Sequence, residues 1–138
     1  MTHELILIIN RFRIELERFI HIEDTSLKSF PRGCCKPTSF ILRQYLEDSH
    51  GIKNIMYVWG TNAEDNTHGW LEINDVIIDL TADQFSENYP KVMIVNSQES
   101  NFHKSFKRQL RFPNDFAQDH PLMEVKNKLA DIMNSKPL

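Results

Sequence analysis

Apolar residues open the chain at helical spacing. Leu5, Ile8, Ile9, Phe12, Leu16, Phe19 and Ile20 lie three or four apart, so residues 3–22 are predicted to form an amphipathic helix, with Thr2 placed to cap it. Residues 23–35 contain Ser29-Phe30-Pro31-Arg32-Gly33 and read as irregular. Pro37 suits a first helical turn, and a second helix is expected over about 37–48, its apolar side formed by Phe40, Ile41, Leu42, Tyr45 and Leu46 and its stop by His50-Gly51. The pattern then changes period. Ile55–Trp59, His68–Ile73, Val76–Thr81 and Lys91–Val95 read as strands, with Asn74-Asp75 as a two-residue hairpin turn. Residues 97–120 are polar with Phe102, Phe106, Phe112 and Phe116 spaced through them, and are expected to be short helices or loops. Pro121 opens a last helix with Leu122, Val125, Leu129 and Ile132 on one face. Helices followed by strands predict one α+β domain over 1–138, an antiparallel sheet of about four strands packed against helices.

Composition narrows the function classes. At 41% hydrophobic and 25% charged residues, the chain can build a core and is not of the disordered kind. Its formal charge of −3 lacks the basic footprint of a nucleic-acid binder. The run Leu5–Ile9 is too short to span a membrane and has no basic flank, so neither a membrane span nor a secretory leader is expected. Cys34 and Cys35 are adjacent and have no third partner, which argues against a disulfide framework and for a reducing, cytoplasmic compartment. No metal site is expected, because adjacent cysteines splay apart and His3, His21, His50, His103 and His120 form no close pair. The glycines at 33, 51, 60 and 69 make no phosphate loop, so no cofactor is expected. Lys104, Lys107, Arg108 and Arg111 read as a solvated helix face.

The hairpin register brings two chemical residues together. With Asn74-Asp75 as the turn, His68, Trp70, Ile77, Asp79 and Thr81 share one face of the sheet. His68 and Asp79 are then diagonal neighbours, about 7–8 Å apart at the backbone, which side chains can bridge. Asp79 sits in the apolar run Val76-Ile77-Ile78-Asp79-Leu80, where a carboxylate needs a partner, and His68 is available. A carboxylate so placed fixes the imidazole tautomer and raises its basicity. A cysteine at a helix entrance is stabilised as thiolate by unpaired N–H groups and by a nearby imidazolium. This favours Cys35 over Cys34 as a nucleophile facing the His–Asp pair.

The stretches Phe30-Pro31-Arg32-Gly33-Cys34-Cys35, His68-Gly69-Trp70-Leu71-Glu72-Ile73 and Ile77-Ile78-Asp79-Leu80-Thr81 resemble the transglutaminase-like and papain-like cysteine-enzyme superfamily. The Arg-Gly pair before the cysteines is also similar to arylamine N-acetyltransferases. The resemblance covers about residues 30–85. It implies a nucleophilic Cys35 at a helix N-terminus, His68 as general base and then acid, and Asp79 orienting His68. Papain-like proteases carry a Gln before the cysteine; none precedes Cys35, and Gln84 is the nearest downstream polar candidate for a wall of the site. Trp59 and Trp70 are expected to help form the cleft.

The resulting expectation is a cysteine-dependent acyl-transfer enzyme acting on an amide of a protein or peptide substrate, as a peptidase, amidase, Gln deamidase or transglutaminase-like enzyme. An effector released without a classical leader is a special case of that reading. The alternative is a binding module or scaffold that keeps the fold without turnover.

Overall fold

Thr2 Oγ1 accepts the Leu5 N–H at 3.2 Å and starts helix α1 (His3–Ile22). Its stripe of Ile8, Ile9, Phe12, Leu16 and Phe19 is buried. Helix α2 (Cys35–His50) begins two residues earlier than its sequence pattern suggested and ends at Gly51, whose left-handed φ of 62° suits a residue without Cβ. Strands β1 (Ile55–Thr61), β2 (Thr67–Ile73), β3 (Val76–Asp79) and β4 (Met93–Asn96) follow, then a short helix α3 (Asn101–Lys104), strand β5 (Arg108–Phe112) and helix α4 (His120–Ser135). The structure is a computed structural model describing residues 1–23, 27, 29–113 and 120–135. Phe116 and part of the segment 23–35 lie outside the described residues.

The class is α+β, with a five-stranded antiparallel sheet in the order β4-β3-β2-β1-β5. About four strands were expected; the fifth is β5, in a segment whose sequence reads as short helices or loops. Its residues are mostly exposed at the sheet edge, so burial imposed no apolar alternation on them. Arg108 and Arg111 therefore belong to a strand, not to a helix face: Arg108 meets Asp65 at 3.0 Å, and Arg111 meets Glu72 at 2.6 Å.

Two cores form, one on each face of the sheet. On one face, Ile55, Tyr57, Leu71 and Ile78 pack with the apolar sides of α1, α2 and α4. On the other, Val58, Trp70, Ile77 and Phe106 form a smaller cluster. Gly60 makes the second possible, because a Cβ there would sit 2.6 Å from the Cβ of Phe106. No helix among the described residues is long and apolar enough to cross a membrane.

Candidate active site

The hairpin builds the first half of the site. Ile73 pairs with Val76 and Leu71 with Ile78, with Asn74 at a left-handed φ of 56° in the turn. This register puts His68 and Asp79 on the second face, and Asp79 Oδ2 accepts from His68 Nε2 at 2.7 Å. Asp79 Oδ1 accepts the Thr81 N–H at 2.9 Å, which holds the carboxylate flat against its own chain. A carboxylate facing Nε2 requires the proton there, so neutral His68 would carry its lone pair on Nδ1.

The second half arrives through an opening in the sheet. The β2–β3 pairing ends at Leu71–Ile78, while β2 runs back to Thr67. After Asp79 the chain turns away into a single 3₁₀ turn, Ala82–Gln84. The start of α2 meets the sheet here, and the Cys35 thiol is near enough to the His68 ring to help raise its proton affinity. Cys35 is the first helical residue. Thr38 N–H closes the first helical bond, onto Cys34 O at 2.9 Å, so the Cys35 N–H has no acceptor within the helix. Cys34 points into the core packed by the helices. Tyr57 from β1 also reaches Cys35, its hydroxyl lying over Gly69, where a Cβ would approach it to 2.1 Å.

Gln84 closes the arrangement. Gly33 N–H donates to Gln84 Oε1 at 3.3 Å, and this aims Gln84 Nε2 at His68 Nδ1, also 3.3 Å away. Trp59 lines a cavity of about 390 Å³ with Lys36, Tyr57 and Phe112, beside the start of α2. Trp70 does not line an open cleft. It is buried with its ring centroid 5.7 Å from that of His68, and its Nε1–H donates to Glu72 at 3.3 Å, because the pleat turns it into the second core.

His103, set aside in sequence, and Ser100, which the sequence did not single out, complete the cluster. His103 Nε2 donates to the same Asp79 Oδ2, at 2.7 Å, and His103 Nδ1 lies 2.5 Å from Ser100 Oγ. No sequence spacing links His103 to His68; the one local signal is its position between Phe102 and Phe106, residues that bury. His68, Asp79 and His103 are 0%, 1% and 1% exposed, whereas Cys35 keeps 9%.

Electrostatics follow from this burial. Desolvation disfavours a charged His68, but the charge and hydrogen bond of Asp79, with Cys35 adding, outweigh it and push the ring up to about 9. Desolvation likewise opposes ionisation of Asp79, yet the His68 charge and the N–H donors of His103 and His68 hold it below the usual carboxylate range. Burial pushes the Cys34 thiol up, and the neighbouring Cys35 adds to the effect.

His68, Asp79 and His103 also offer three ligand-type atoms within 4.8 Å of one another. Zinc bonds of about 2.0–2.1 Å in a tetrahedron would hold N and O ligands roughly 3.3 Å apart. The 2.7 Å separations observed are those of hydrogen bonds. Comparison with protein-family models, curated proteins and solved structures finds no match for this chain.

Proposed function

We propose that the protein is a cysteine-dependent acyl-transfer enzyme acting on an amide carbonyl. One observation carries the reading: a single buried imidazole meets a carboxylate on Nε2 and also interacts with the thiol at the start of α2. The resemblance of the Cys-, His- and Asp-bearing stretches to transglutaminase-like and papain-like enzymes points the same way.

In this mechanism Cys35 reacts as the thiolate of a thiolate–imidazolium pair, its proton resting on His68 Nδ1, and the thiolate attacks the amide carbon. The C–N bond breaks as Nδ1–H protonates the leaving amine, and a thioester remains on Cys35. Water or an amine then attacks the thioester, His68 takes its proton, and the thiol is restored. The Cys35 N–H and the Gln84 amide supply donors for the carbonyl oxygen as it gains charge. Protonation of Nδ1 releases the Gln84 N–H from His68, so that donor becomes available when it is needed. The cavity lined by Tyr57, Trp59 and Phe112 receives an apolar part of the protein or peptide substrate.

The test is mass spectrometry of the intact protein after iodoacetamide at pH 6–7 and, separately, after p-nitrophenyl acetate. Alkylation and acetylation on Cys35 alone, each slowed at least about tenfold by His68→Gln, are expected. Two inert thiols would favour a binding module that keeps the fold without turnover.

A further inference from the structure

Asp79 serves two histidines. His68 and His103 both donate from Nε2 to one oxygen, Oδ2, at 2.7 Å each. A carboxylate oxygen only accepts, so both rings carry hydrogen on Nε2. Two imidazolium rings on one buried carboxylate would leave an uncompensated charge, which is costly. The acyl-transfer reading gives that one charge to His68. Ser100 Oγ receives the His103 backbone N–H at 3.3 Å and lies 2.5 Å from His103 Nδ1, so its O–H is placed to donate to that nitrogen. Ser100 thus selects the tautomer that donates to Asp79.

We propose that His103, held by Ser100, is a positioning residue that divides the Asp79 carboxylate and so limits how tightly His68 holds its proton. The idea rests on the acyl-transfer reading, in which His68 must both take a proton and give it back. A base serves both steps best when its affinity lies near the working pH. A carboxylate reserved for His68 alone would bind the imidazolium proton more strongly. Sharing Oδ2 with a second N–H donor weakens that hold and keeps the carboxylate ionised. The titratable and charged groups facing this cluster are Cys35 from α2, Tyr57 from β1 and Asp79 from β3. Behind Trp70 lies Glu72 from β2, bound by Arg111 from β5.

The experiment is a histidine-resolved NMR titration of the full chain, run beside the pH profile of Cys35 alkylation by iodoacetamide. In His103→Leu the His68 titration is expected to move up by about one pH unit, the size of a lost charge-assisted hydrogen bond. Ser100→Ala, a milder change that leaves the ring in place, should move it the same way by less. His103→Gln, whose amide can donate to Asp79, should return it toward wild type. An unmoved His68 titration in both His103→Leu and Ser100→Ala overturns the proposal and leaves His103 a space-filling residue. So does one equivalent of zinc retained by the wild type and lost from His103→Leu. A wild-type Cys35 inert to iodoacetamide, with the His68 shift intact, overturns the enzyme reading and supports the division of Asp79.

Discussion

At the scale of single residues, Gln84 separates two kinds of thiol chemistry. Alkylation by iodoacetamide develops no oxyanion, whereas acylation by p-nitrophenyl acetate does. Gln84→Ala is expected to slow acetylation of Cys35 by about 10²–10³-fold while changing alkylation less than about twofold. Equal slowing of both would show that Gln84 acts through His68 instead. Gly69 has a simpler constraint: any side chain there collides with Tyr57, which itself reaches Cys35. Gly69→Ala should lower stability by about 1–3 kcal/mol in denaturant unfolding and alter Cys35 alkylation. His68 and Asp79 were legible together because a two-residue turn converts sequence distance into strand register. His103 was not, because its partner is 24 residues away in a different element.

Elements aim these residues. Arg13 of α1 is buried and ties the helix to the chain beyond β3. It donates to Leu80 O, to Lys91 O at 2.7 Å and to Asp83 Oδ2 at 2.9 Å, and it stacks over the Phe30 ring at 4.5 Å. Asp83 precedes Gln84, so this guanidinium sets the 3₁₀ turn that carries the amide. Arg13→Ala is expected to cost about 3–5 kcal/mol in denaturant unfolding, since it strands buried acceptors. Arg13→Lys should recover only part of that, lacking the forked donors. A loss under about 1 kcal/mol would show that the turn holds without this tie. The helices were legible from their 3.6-residue stripes, Thr2 cap and Gly51 stop. Strand β5 was not, since an exposed edge leaves little mark on sequence.

For the molecule as a whole, the buried ion pair makes stability depend on pH. His68 holds its proton up to about 9 in the folded state against an ordinary value of 6.5. Its contribution is therefore complete below 6.5 and lost as pH rises through about 9. Asp79 ionises below its ordinary 3.8 when folded, so its contribution is present above 3.8 and lost as pH falls further. Thermal denaturation should show the pair's full effect between those ordinary values, then a decline of roughly 1 kcal/mol per pH unit toward pH 9. Asp79→Asn should flatten that decline, and a wild-type Tm level from pH 6.5 to 9 would contradict a raised His68. Sequence by itself determined the helices, the central hairpin and which residues share a face, because these follow from local periodicity and turn chemistry. Only the tertiary structure decided that β3 ends early enough for α2 to bring Cys35 to the sheet, and that a second histidine shares Asp79. Those outcomes depend on how distant segments pack across two faces, and no short window of sequence contains both partners.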